Sequence, residues 1–414
     1  MLGIKIIKNI YIIGAGLAGL SASVHGIKKN YNINLFESSN LVGGRCRSFY
    51  EKKLGFEIDN GNHLVFSANT NFYELCKIIG STDRLIKLPS DLKFYDLKKN
   101  IHWNLNIGNM SFINLLRNKM NLIPDTNMYD YFSILKFLFV GKNKTVTDIV
   151  GESRIFKTLW DPFTIAVMNT SSKKASAKVL SNVLKKTVFK GEKFCQIYQP
   201  LVNWNDAIIK PCVNFVNKNG FKINFKKILK KIEIINDYIT KLHFNNQVIN
   251  ISKNDIVLFA IPPSNLLKIL PMYNLPIKYN CIINIHFKLP IELKKSSYKI
   301  IGLINSYSHW LFIKDNYLSI TISNADYLND FNSDKMAELI WKEICSCLNI
   351  NKPIPDYQVV KEKKATIEQS PTNFELVKRL NDLPRNLRIS GDWTQTSLPC
   401  TIEGSILSGK KAVN

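Results

Sequence analysis

Gly14, Gly16 and Gly19 fall in the spacing G-x-G-x-x-G, directly after an apolar run at residues 10–13 and directly before a helix-forming stretch that opens with Leu17 and Ala18. Glycine at the first position permits the tight turn, at the second it lets backbone approach a pyrophosphate, and at the third it lets helix and strand pack closely. The helix N-terminus offers unpaired N–H groups and the positive end of its dipole, which favours an anion. A second apolar run, residues 33–36, ends at Glu37, where a carboxylate can accept hydrogen bonds from a ribose diol. Strand, turn, helix, strand and acid in that order predict a dinucleotide site made by Gly14, Gly16, Leu17, Ala18, Gly19 and Glu37.

Gly43-Gly44-Arg45 follows the second strand. A glycine pair lets the chain pass along an extended cofactor, and Arg45 can lie against its phosphates or its flavin end, which argues for FAD over NAD. Taken alone the triplet also fits a turn with a solvated arginine. It does not stand alone. Near the C-terminus, Ile389-Ser390-Gly391-Asp392-Trp393 reads as a strand ending in Gly-Asp, and Pro399-Cys400-Thr401-Ile402-Glu403-Gly404-Ser405 as a loop opening a last helix. These pieces resemble the FAD-dependent amine oxidase and carotenoid desaturase superfamily. The resemblance implies FAD as cofactor, Gly391 and Asp392 against its ribityl and pyrophosphate region, and Thr401, Ile402, Glu403 and Ser405 at a helix N-terminus aimed at the flavin ring.

The 414 residues exceed what one core usually supports, so two domains are expected. The fold class is α/β: a Rossmann-like three-layer FAD-binding domain with an inserted α+β substrate domain. The FAD domain is discontinuous, drawing on residues 1–65, 212–263 and 375–414. In its middle piece, residues 212–219 look helical, and 221–225, 228–235 and 255–260 look like strands. By resemblance, Ile228 presents its backbone to the adenine, and Ala260, before Ile261-Pro262-Pro263, closes the nucleotide site. Residues 66–211 and 264–374 form the substrate domain.

Within those pieces, Asp59-Asn60-Gly61-Asn62-His63 and Leu159-Trp160-Asp161-Pro162 through Asn169-Thr170 are similar to the hydroxysqualene dehydroxylase family, the squalene-associated FAD-dependent desaturases of hopanoid biosynthesis. The resemblance covers nearly the whole chain. It implies an enzyme that replaces an allylic hydroxyl of a C30 isoprenoid by hydrogen, with reduced flavin as donor, and Asn60, Gly61 and Asn62 beside the cofactor. Such chemistry needs an acid for the departing hydroxyl, aromatic faces for allylic-cation character and a dry cavity. Trp103, Tyr129, Phe132, Phe137, Trp160, Phe163 and Phe189 are the expected aromatic lining of a hydrocarbon tunnel. An oxidative carotenoid or squalene desaturase, an amine oxidase, or a flavin-less lipid-binding relative of the GDP-dissociation-inhibitor type are the alternatives; the retained glycines, Glu37 and Asp392 weigh against the last.

Three residues are candidates for the acid. His63 follows a glycine in the loop the superfamily sets beside the flavin, though a structural, hydrogen-bonded histidine is the competing reading. Asp161 also fits a helix N-cap with Pro162 at the first helical position, and Asp59 an Asx-turn with Gly61.

Net charge is +24, with 48 Lys against 8 Arg, and the lysines are spread rather than blocked. A spread of this kind reads as compositional drift, with an anionic membrane face as the alternative. No basic stripe with interleaved aromatics supports nucleic-acid binding. The eight cysteines show no metal spacing, so no metal site is expected, and they read as reduced thiols. No signal peptide or apolar span is evident, which predicts a cytoplasmic protein, either soluble or peripheral on the inner face of the membrane. Residues 129–140 are apolar on most of a helical circumference and fit either a core helix or one dipping into lipid. One dinucleotide fingerprint is present, so the electron donor is unidentified.

Overall fold

A computed structural model describes residues 8–88, 90–109, 122–290, 300–378, 380 and 382–414. The lysine-bearing residues 1–7 that precede the first strand lie outside them. The glycine motif produces a five-stranded parallel sheet in the order Ile223–Asn224, Asn32–Phe36, Asn9–Ile13, Ile256–Phe259, Leu387–Ile389. Ile10, Ile12, Leu35 and Leu258 point to one side, where the helices Leu17–Lys28 and Ile402–Ala412 cover them. Ile13, Phe36, Val257 and Phe259 point to the other, where the antiparallel strands Leu229–Ile235, Tyr238–Phe244 and Val248–Asn250 form the third layer. A parallel sheet buried on both faces explains the near-continuous apolar runs of its strands.

Two helices begin earlier than their prolines suggest. Pro162 lies in Asp161–Met168 and Pro211 in Lys210–Lys218, yet a π-helical turn precedes each, Phe156–Trp160 and Asn205–Ile209. Proline lacks an N–H and crowds the carbonyl a turn back; a widened turn accommodates both defects without ending the helix. The helix expected at 212–219 therefore continues upstream to the buried Trp204.

The second sheet has seven strands in the order Tyr357–Ile367, Tyr279–Lys288, Tyr317–Ser323, Trp310–Ile313, Ile300–Ile304, Asp91–Asp96, Ile101–Asn106. One face carries Ile283, Ile285, Leu318, Ile320, Leu311 and Ile301 under the helix Ser333–Leu348. The opposite face is different. Laterally paired residues share a face, and one row across it reads Trp103, Phe94, Gly302, Trp310, Thr321, Asn284. Its first half is aromatic and its second half polar, although Thr321 and Asn284 are buried.

Candidate functional site

The glycine turn is built as its spacing predicts. Gly14 has φ +105°, and a Cβ there would meet Ala260 O at 2.5 Å; at Gly19 it would run into the Gly14 carbonyl. At Gly16 it would meet nothing within 4 Å. The outer two glycines thus serve packing, and the middle one faces open space at the N-terminus of Leu17–Lys28, which has no side-chain cap. An uncapped helix start behind a bare Cα is the cradle a pyrophosphate requires. Glu37 Oε2 accepts from Ala15 N (2.9 Å) and Oε1 from Ser39 N (2.9 Å), which aims the carboxylate beside the turn with acceptor capacity left for a diol. Gly43 N donates to Ala15 O (2.9 Å), and Gly43 and Gly44 take left-handed φ values, +92° and +56°. Arg45 reaches Asp392 Oδ1 at 2.7 Å and also donates to Ala365 O, tying the first segment to the last. These residues fit a flavin dinucleotide.

Other residues expected at the cofactor have partners within the protein. Thr401 caps the last helix by accepting from Gly404 N (3.3 Å), Ser405 continues that turn, and Ile402 is buried in the core. Glu403, expected at the cofactor, accepts from Asn71 N (3.2 Å), Asn71 Nδ2 (2.7 Å) and Phe72 N (2.9 Å). It caps the helix Thr70–Ile79, whose own N-cap residue Asn69 is committed to Phe66 N. Ile228 is surface-exposed; its N–H donates to Asn245 Oδ1 and its C=O accepts from Asn245 N, both at 3.0 Å, so that N–H is already taken.

The Asp59–His63 loop lies over the polar half of the second sheet. Asn62 Nδ2 donates to Ser319 Oγ (2.7 Å) and Thr321 Oγ1 (2.9 Å), and Asn60 O accepts from Asn284 Nδ2 (3.3 Å), beside Gly61. Asp59 is ion-paired with Lys314 at 2.6 Å and accepts from Ser48 Oγ (2.7 Å) and Trp204 N (3.0 Å). Burial alone would lift its carboxyl, but Lys314 and those donors outweigh it and hold Asp59 below the usual carboxylate range. It has no proton to give near neutrality, and neither an acid role nor an Asx-turn describes it. Burial pushes His63 down to about 4 against the pull of Asp59, and His63 Nε2 has no hydrogen-bond partner among the described residues. His286, hydrogen-bonded through Nδ1 to Ser319 Oγ (2.8 Å), is pushed by burial to about 3.

Asp161 does not cap its helix. It has helical dihedrals inside a continuous run from Phe156, and its Oδ1 accepts from Ser172 N (3.3 Å).

An apolar pocket of about 490 Å³, counting the space at its mouth that is open to solvent, lies against the aromatic half of the same sheet face. Phe94 and Trp310 form its floor, and Trp160, Phe163, Ile134 and Leu184 its walls. Of the expected aromatic lining, Trp160 and Phe163 are there. Trp103 backs Phe94 in a stacked pair (5.6 Å), Phe137 backs Trp160 (5.1 Å), and Phe132 and Phe189 pack in the same core. Tyr129 is 74% exposed and lines nothing.

Lys314, Asn284, Ser319, Thr321 and His286 were not singled out from the sequence. For all but Lys314, which lies outside both strands, the signal was the period-two alternation within 284–288 and 317–323, where polar residues recur on one face of strands too apolar on the other to be solvated. All eight cysteines are free, and among the described residues no cluster of His, Cys, Asp and Glu is placed to hold a metal. No helix among them is long and apolar enough to cross a membrane.

The model for flavin containing amine oxidoreductases matches residues 17–151. The chain is 31% identical to hydroxysqualene dehydroxylase of Rhodopseudomonas palustris, over 98% of each chain, and 31% identical to that of Zymomonas mobilis, also over 98% of each. Among solved structures, cyclohexylamine oxidase from Brevibacterium oxydans superposes with a TM-score of 0.72 at 13% identity, covering 98% of each chain, which speaks for the fold.

Proposed function

The chain belongs to the hydroxysqualene dehydroxylase family, and on that premise we propose that it is an FAD-dependent oxidoreductase that converts hydroxysqualene to squalene. The observation that carries the reading is the sheet face shared by the cavity and the loop: hydrocarbon surface at one end, buried hydrogen-bonding groups at the other, beside a cradle fitted to FAD. Reduced FAD, when bound, would supply the hydride that takes the hydroxyl's place. The protein's own residues do the rest. Trp160, Phe163, Phe94 and Trp310 bury the isoprenoid and present π faces to allylic-cation character. Their apolar wall keeps water from recapturing it. Lys314 and Asp59 fix the loop, and His63, uncharged near neutrality in the free protein and with Nε2 unpaired, is the group we assign to take up a proton when substrate is bound and pass it to the departing hydroxyl.

We also propose that the helix Met128–Phe139 brings the cavity to an anionic lipid surface. Ile134 lines the cavity, while Phe139 is 90% exposed on the same helix, with Lys136, Lys142 and Lys144 exposed around it.

The test is anaerobic: reduce the flavin, add hydroxysqualene in detergent, follow flavin absorbance and analyse the extracted lipid. Reoxidation with stoichiometric squalene is expected. No reoxidation, with oxidised enzyme bleached by squalene or a carotenoid precursor instead, would move the protein to the oxidative desaturases.

A further inference from the structure

The aromatic floor of the pocket closes over a residue with no side chain. Gly302 is buried in the strand Ile300–Ile304, paired with Phe94 on one side and with Trp310 on the other. Phe94 and Trp310 therefore stand two strands apart, roughly 10 Å from backbone to backbone. Their rings nevertheless meet edge-on, with centroids at 5.6 Å. They do so above Gly302, where a Cβ would lie 2.4 Å from Phe94 Cε1, 2.5 Å from Phe94 Cδ1 and 3.2 Å from Trp310 Cζ3. The backbone does not ask for glycine: Gly302 is not among the glycines with positive φ, and glycine inside a strand weakens it. What glycine supplies here is space beneath two rings that line the pocket.

The packing fixes the direction in which a larger residue would act. Behind Phe94 stands Trp103, stacked on it at 5.6 Å with the planes 9° apart, and in front of it stands Trp310. A ring struck from below and hemmed in on both sides along the row moves off the sheet, into the pocket. The row runs on from Trp310 to Thr321 and Asn284, which bond to Asn62 and Asn60 of the Asp59–His63 loop. Gly302 is two strand spacings from Thr321, roughly 10 Å. An alcohol held at the loop thus sends its hydrocarbon over Gly302 only beyond that distance, and a short chain does not reach it.

We propose that Gly302 sets the depth of the pocket and, through Phe94, the length of isoprenoid tail that the protein accepts. This rests on the hydroxysqualene reading and adds to it a residue that decides chain length. Gly302 is a positioning residue, acting through the ring above it. Affinity for a hydrocarbon climbs with length for as long as the added carbons are buried. A low floor extends that climb to a long tail, whereas a raised Phe94 ends it early and leaves the head of the chain unaffected.

The experiment titrates geraniol, farnesol and hydroxysqualene, each in detergent, into oxidised holoenzyme, which holds no electrons for turnover. Binding is followed by tryptophan fluorescence, to which Trp160 and Trp310 of the lining contribute. Wild-type affinity is expected to rise along the series. Gly302→Ala should bind geraniol as wild type does but hydroxysqualene about tenfold more weakly, the scale on which one extra carbon overpacks a filled site. Adding Phe94→Leu, which removes the ring that the new methyl strikes, should restore most of the long-chain affinity. An unchanged length profile in Gly302→Ala, equal weakening across the series, or no recovery in the double variant would overturn the role of Gly302 while wild type still binds the long alcohol and the substrate reading stands. Wild type with no preference for hydroxysqualene over geraniol would overturn both.

Discussion

Lys314 Nζ lies 2.6 Å from Asp59 Oδ2, and this pair, with side chains 15% and 1% exposed, joins the seven-stranded sheet to the first residue of the loop over its polar face. Two charges so placed are held by each other and by Ser48 and Trp204, not by water. Removing one partner from such a pair typically costs about 3–5 kcal/mol, because the other is left buried and uncompensated. Lys314→Met is expected to lose stability on that scale in a urea titration, and adding Asp59→Leu to recover much of it. A Lys314→Met protein as stable as wild type would mean that water reaches Asp59.

Acid should destabilise the fold through its buried histidines. His63 and His309 are pushed to about 4 and His286 to about 3, in each case chiefly by burial. An unfolded histidine takes up its proton near pH 6.5, so between there and pH 4 the unfolded state binds more protons and stability falls as pH falls. Each group contributes at most about 1.4 kcal/mol per pH unit. Melting temperature should therefore be flat above pH 7 and drop steeply from pH 6.5 to 5, less steeply in His286→Leu. An equal slope in that variant would sink the account of His286.

Much of this was legible in the sequence. The strands at Asn9–Ile13 and Asn32–Phe36 fall within one residue of expectation, because short apolar runs flanked by turn-forming or polar residues leave little choice. Asp161 was misread for a physical reason. Asp-Pro ordinarily starts a helix, and nothing in a linear string announces the π-turn that carries the helix through Pro162. Glu403 was named for the cofactor, and its capping of the helix at Thr70 was not legible because that helix is more than three hundred residues away. The buried polar row was written as plain alternation in 284–288 and 317–323, but alternation alone does not say that the polar side is covered too.

Gly16 and Gly19 should separate cofactor binding from folding. A Cβ on Gly16 enters open space, whereas one on Gly19 strikes the Gly14 carbonyl. Gly16→Ala apoprotein should melt like wild type yet bind FAD at least about tenfold more weakly, since the methyl occupies the pyrophosphate's approach. Gly19→Ala should lower the melting temperature of the apoprotein itself. Unimpaired FAD titration in Gly16→Ala would remove the cradle assignment.

Glu403→Ala tests what that carboxylate is for. If it caps Thr70–Ile79, its loss costs about 1–2 kcal/mol of stability, and FAD affinity of the folded protein stays near wild type. A large fall in FAD affinity at unchanged stability would return Glu403 to the cofactor.

Phe137 and Phe139 lie on one helix and do opposite things. Phe137 is fully buried against Trp160, while Phe139 is 90% exposed. A charge at Phe137 would therefore break the core by several kcal/mol and say nothing about lipid. Phe139→Asp touches no core residue and should leave the melting temperature unchanged, yet weaken co-sedimentation with anionic liposomes several-fold by removing a ring from the bilayer and adding a repelled charge. Adding Tyr129→Asp should weaken it further, since that ring is exposed on the same helix. Undiminished liposome binding in the double variant would take this helix out of contact with lipid and leave its exposed rings without an assigned partner.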